Sequence, residues 1–147
     1  MQDDIFNRAA PHGLHCTSTE NIDPGNSSMA RQDVTLAALR ADLRRFAAAR
    51  DWQQFHTPKN LAMALCVEAA ELLERFQWLT PDESARLDAR RRRAVADEIA
   101  DVLLYLTRLA DVLKIDPLAA ARRKLRANAR KYPVARARGN ARKYSEL

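Results

Sequence analysis

An all-α, four-helix bundle-like fold is what three features of this sequence predict. Glycine is scarce, with three in 147 residues, while the strong helix formers Ala, Leu and Arg are abundant. No run alternates β-branched and polar residues as a half-buried strand would. Four segments instead repeat apolar residues at three- and four-residue spacing, the pattern of amphipathic helices.

Residues 1–30 mix Asp, Asn, Ser, Gly and Pro without periodicity and read as a disordered leader. Met29 stands where a compact domain would begin, so the expected true start is Met29, with the leader a tag or a gene-start error. A helical domain over 31–133 follows, and then a basic tail, 134–147, that contributes to the site.

The first helix is expected over 35–50, with Leu36, Leu39, Leu43, Phe46 and Ala47 as its apolar stripe. Asp51 and Trp52 end it, and DWQQFHTPKN forms a loop. Thr57-Pro58 is a start signal, because proline fits the first helical turn, and the second helix covers 59–77. Thr80-Pro81 opens a short helical turn or a loop. The third helix spans 90–113, and four arginines at its start, Arg90 to Arg93, oppose the helix dipole and read as a solvated face. Asp116-Pro117 caps the fourth, 117–131, with Leu118, Ala121 and Leu125 inward. The segment PVARARGNARKYSEL after it reads as irregular.

The formal net charge is +6, which suits polyanionic ligands, either nucleic acid or nucleotide phosphates. From Arg122 to Lys143 every charged residue is basic, yet aromatics are sparse there and no helix-turn-helix or zinc pattern accompanies them. Cys16, in the polar leader, and Cys66, inside an apolar run, are poor disulfide partners, as in a reducing compartment. With no membrane-spanning stretch and no secretory signal, the cytoplasm is the expected location.

The chemistry is concentrated in LAMALCVEAAELLERFQW (61–78) and VADEIADVLLYL (95–106). Each carries carboxylates three residues apart, Glu68 with Glu71 and Glu98 with Asp101, so each pair shares a helix face. Glu68 falls in register with Leu61, Leu65 and Leu72, and Glu98 with Val95, Val102 and Leu109. Both therefore lie on apolar stripes. Ionised carboxylates facing a core are costly unless a cation meets them, and packing the two helices together would raise their pKa values. The ligands are all oxygen, which suits magnesium or manganese better than zinc or iron.

The ordered set DWQQFHTPKNL, E-x-x-E-L-x-E-x-F-Q-W, E-x-x-D-V-L-x-Y-L, K-L-x-x-N-x-x-K-Y-P and K-Y-S resembles the MazG-like all-α nucleoside triphosphate pyrophosphohydrolases, and most closely their dCTP pyrophosphatase branch. The likeness covers about residues 34–147. It implies cleavage of a dNTP between the α and β phosphates, with dCTP and 5-modified dCTP preferred, in nucleotide-pool sanitation. By the same resemblance Glu68, Glu71, Glu98 and Asp101 are ligands of Mg2+ (or Mn2+), and Glu71 or Glu74 is the general base. Lys59, Asn60, Lys124, Asn128, Lys131 and Lys143 would hold the triphosphate, Trp52, His56 and Trp78 the base, and Tyr105 the deoxyribose. Leu43 departs from the vertebrate enzymes of this branch, which carry a histidine near the base at that position. A homo-oligomer, dimer or tetramer, is also implied. The alternatives are a dUTP or general dNTP hydrolase, or a small basic helical protein that binds nucleic acid.

Overall fold

The computed structural model describes residues 35–146, and within them every regular element is helical. The leader and the Met29 start lie outside the described residues. Five helices carry the architecture: α1 (Leu36–Ala48), α2 (Pro58–Glu74), α3 (Pro81–Ala85), α4 (Ala89–Val112) and α5 (Pro117–Lys131). A single turn, α6 (Val134–Ala137), and a 3-10 turn at Tyr144–Glu146 give the tail regular structure where none was expected.

Capping explains why the helices begin where they do. Thr35, Thr57 and Thr80, and then Asp88 and Asp116, each accept a backbone N–H from the first turn of α1 to α5 respectively. Proline occupies the first turn of α2, α3 and α5, where its missing N–H costs nothing. At α3 the cap is reciprocal, since Glu83 also accepts from the Thr80 backbone, and those bonds hold its carboxyl below the usual range. Asp88 resolves the arginine run: its carboxylate takes the Arg91 N–H at 2.7 Å at the dipole's positive end, and Arg90 to Arg93 all stay exposed.

The helix ends are more strained. Lys114 leaves α4 in the left-handed region with φ 58°. It completes a Schellman motif: the Ile115 N–H donates to the Ala110 carbonyl at 2.8 Å, and the Lys114 N–H to Asp111 at 3.1 Å. Asp51 is also left-handed, at φ 51° after α1, and its N–H donates to the Ala48 carbonyl at 3.1 Å; its carboxylate accepts from Gln54 Nε2 at 2.8 Å, which offsets part of the strain.

Packing centres on α2 against α4, with α1 laid across α4. Leu61 and Ala64 of α2 meet Tyr105 of α4, and Leu65, Leu109 and Val112 close around them. Leu43 and Ala47 anchor α1. Charge completes that second contact. Arg44 of α1 donates from Nε to both oxygens of Asp111 at 2.9 and 3.1 Å, with Nη2 adding a further bond to Oδ1. Arg108, one turn earlier on α4, adds Nη1 to Asp111 at 3.0 Å and Nε to His56 Nδ1 at 3.1 Å. The Arg44 bond chiefly holds the Asp111 carboxyl low, while burial and then the Arg108 charge push the His56 imidazole down.

The fourth amphipathic segment corrects one expectation. Leu118, Ala121 and Leu125 of α5 do not face this chain's core; all are exposed, Leu125 at 70%. Extensive packing among the described residues is confined to α1, α2, α4 and the 3-10 turn Trp52–Gln54 and does not include α5. Cys66 likewise is exposed and free despite its apolar surroundings in sequence. No helix among the described residues is long and apolar enough to cross a membrane.

Two stability measurements test these contacts. Lys114→Gly should raise stability in urea denaturation by about 0.5–1 kcal/mol, because glycine takes positive φ without steric cost; a loss of stability would mean that the lysine side chain stabilises the end of α4. Asp111→Asn should lower stability by about 2–4 kcal/mol, since it leaves the buried Arg108 without its counter-charge. Both Asp111 and His56 have depressed folded pKa values, so what they contribute is complete above their unfolded pKa values. It is lost as pH falls through the folded ones. The acid limb of the stability curve should therefore flatten in Asp111→Asn, and an unchanged limb would contradict the pairing.

Candidate metal and nucleotide site

The two acidic pairs meet because α2 and α4 pack along the stripes that carry them. Glu68 is 1% exposed, and Glu98 and Asp101 are buried opposite it. An oxygen from each of these three lies within 4.8 Å of the others, close enough to share one ion. Glu71, a turn beyond Glu68, is half-buried and outside that trio, but its charge reaches it. Burial first, and then the charges of Glu98, Asp97 and Glu71, push the Asp101 carboxyl above the usual range. Glu74 is exposed at the last turn of α2.

Such a cluster can hold a hard cation. The donors are all carboxylate oxygens, with no thiolate or imidazole among them, and their converging negative charge is a cost that a divalent ion removes.

The remaining site residues divide. Trp52 and His56 come together in the loop between α1 and α2, edge to face at 6.3 Å, and Phe46 packs on the other edge of Trp52 at 5.8 Å. His56 is buried, and because Nδ1 accepts from Arg108, the neutral ring carries its proton on Nε2. Trp78 does not join them; it lies beyond the end of α2, 86% exposed. Tyr105 belongs to the core, fully enclosed between Leu61 and Ala64, so in this structure it packs the α2–α4 interface and has no open face for a sugar. Asn60 spends its amide on the loop, donating from Nδ2 to the Phe55 carbonyl at 2.9 Å. Lys59, Lys124, Lys131 and Lys143 are exposed, and Asn128 is half-buried, its carbonyl closing the end of α5 on the Tyr132 N–H. Lys131 Nζ lies 4.9 Å from the Tyr144 ring, and Tyr132 packs on the same ring, so the tail folds back on α5.

Sequence reasoning missed two features. Arg75 caps α2 and donates from Nε and Nη2 to Glu98 Oε1 at 3.1 and 2.5 Å. Nothing in its spacing marks a bond to another helix. The Arg108–Asp111 pair did leave a signal, because it continues the three-residue charged spacing of Glu98 and Asp101 along α4.

Comparison with known proteins falls on the same helices. A model of the MazG-like family matches residues 63–147, which takes in most of α2 and all of α4 and α5. Human dCTP pyrophosphatase 1 is 43% identical over 126 residues, covering 84% of this chain and 74% of that protein. The Bos taurus dCTP pyrophosphatase 1 is 45% identical over 118 residues, 78% of this chain and 69% of its own. Among solved structures, a pyrophosphatase from Archaeoglobus fulgidus superposes with a TM-score of 0.65 at 45% identity, covering 72% of this chain and 99% of that one. Both carboxylate pairs lie inside the matched region, on helices packed so that three of the four acids converge, and the chain belongs to the MazG-like family.

Proposed function

We propose that this chain is a magnesium-dependent nucleoside triphosphate pyrophosphohydrolase that converts dCTP and 5-modified dCTP to the monophosphate and pyrophosphate, clearing the nucleotide pool. The observation that carries the reading is the convergence of Glu68, Glu98 and Asp101 in a chain whose relatives are dCTP pyrophosphatases. Glu68, Glu98 and Asp101 would hold the ion, with Glu71 beside them. Magnesium bound there neutralises phosphate charge and acidifies a water.

The chain's own groups do the rest. A water oxygen bonds to the α-phosphorus, the bond from that phosphorus to the bridging oxygen breaks, and pyrophosphate leaves. Glu71 or Glu74, at the rim of the cluster, takes the water's proton. Lys124, Asn128, Lys131 and Lys143 supply donors for the triphosphate, with Lys59 at the start of α2. Trp52 and His56 offer an aromatic edge for the base. A nucleotide-pool enzyme works where the pool is, and the cytoplasm is its proposed location.

The active form we propose is a homo-oligomer, at least a dimer. Met63 and Val67 on α2, Ile99, Leu103 and Leu106 on α4, and Leu118 and Leu125 on α5 form exposed apolar rows at helical spacing. A second copy would cover them and bring α5 cations to an acidic cluster that the chain's own α5 does not pack extensively against.

Incubation with canonical and 5-methylated dNTPs and magnesium, with products separated by chromatography, tests the reading. Monophosphate and pyrophosphate should form, cytosine nucleotides fastest, and chelator should stop the reaction. Glu68→Gln, which removes a ligand charge at constant shape, should lower turnover by at least about a hundredfold. Intact triphosphates, together with tight DNA binding that weakens steeply with salt, would move the assignment to a nucleic-acid-binding protein.

A further inference from the structure

Arg75 stands at the C-cap of α2, just past the turns that carry Glu68, Glu71 and Glu74. Its side chain, 47% exposed, reaches from solvent across to α4. Both N–H donors converge on the same oxygen, Glu98 Oε1, at 3.1 and 2.5 Å. A carboxylate oxygen offers two lone pairs, so this fork saturates Oε1. Glu98 is also one of the three acids whose oxygens converge within 4.8 Å. The cluster thus already has a cation, monovalent and carried by the chain itself.

We propose that Arg75 is a built-in counter-cation of the acidic cluster: it holds Glu98 in the metal-free protein and yields that carboxylate to the divalent ion. The idea rests on the metal reading above. Without the ion, three buried carboxylates between α2 and α4 repel, and one guanidinium removes part of that repulsion from the helix interface. When the ion enters, the guanidinium and the metal compete for the same carboxylate, and the half-exposed arginine is the one free to leave. Glu74, exposed on the same turn, and Glu71 lie near enough for their charges to act on it once released. Metal entry is then an exchange of cations, and the apparent affinity is the intrinsic one multiplied by the fraction of molecules in which Arg75 has left Glu98.

The full-length protein, Arg75→Met and Arg75→Lys would be compared by calorimetric titration with Mn2+ and by melting in chelator. Arg75→Met should bind Mn2+ about three- to tenfold more tightly, because no guanidinium has to be displaced. The same variant should melt at a lower temperature without metal, and Arg75→Lys, which keeps the charge but loses the fork, should fall between. Unchanged or weaker Mn2+ binding in Arg75→Met, beside intact binding in the parent, would overturn the exchange, since Arg75 would then be neutral or supporting. Absence of Mn2+ binding in the parent would instead overturn the metal reading itself. Should Arg75→Met fail to fold, the Nε–H resonance of Arg75, identified by its loss in Arg75→Lys, decides the matter in the parent protein. Saturating Mg2+ should move it to a solvent-exposed position, and a resonance that stays put would refute the exchange.

Discussion

Burying carboxylates in a helix–helix interface is the constraint on which the rest of this structure turns. Glu68, Glu98 and Asp101 occupy positions where apolar side chains would otherwise join α2 to α4. Leucines there would cost nothing electrostatically, whereas three converging acids must be neutralised by protonation, by a guanidinium or by a bound cation. The interface tolerates them because the next turns are apolar: Leu61, Ala64 and Tyr105 close the seam at one end, with Leu65, Leu109 and Val112 around them. Arg75 meets Glu98 at the other end, and Asp101 is left with its affinity for a proton raised.

Further along α4 the same three-residue spacing produces the opposite outcome. Arg108 and Asp111 are also buried and charged, but they differ in sign, and Arg44 and His56 complete their bonding. That second layer pairs its charges within the chain, so it fastens α1 and the Trp52 loop to α4. Two charged layers thus flank Tyr105 on one helix. One pairs opposite charges and serves the architecture; the other gathers three acids, the arrangement that a site for a cation requires.

The acids belong to a tight pair of helices, whereas the basic residues that follow Arg122 lie on α5 and the tail, which do not pack extensively on that pair. The apolar rows of α2, α4 and α5 face outward in the same structure. Apolar surface and separated charge both support the homo-oligomer proposed above.

Local physics was legible in the sequence, and geometry between helices was not. Threonine, aspartate and proline at the starts of α2 and α5 fixed those boundaries, since capping involves only neighbours in the chain. The third amphipathic segment was expected one residue late because Asp88, its cap, precedes a run of arginines that obscures it. Helical period alone placed Glu68 and Glu98 on buried faces, and the burial follows. Trp78, Leu118 and Leu125 show the limit. Their apolar character says that they seek cover, but the structure of one chain leaves them exposed. Arg75 to Glu98, Arg108 to His56 and Arg44 to Asp111 join residues 23, 52 and 67 positions apart. A sequence determines which face of a helix is apolar and which acids lie on it; only the rotation and offset of packed helices decide which cation reaches those acids, because periodicity along one axis carries no information about the distance to another.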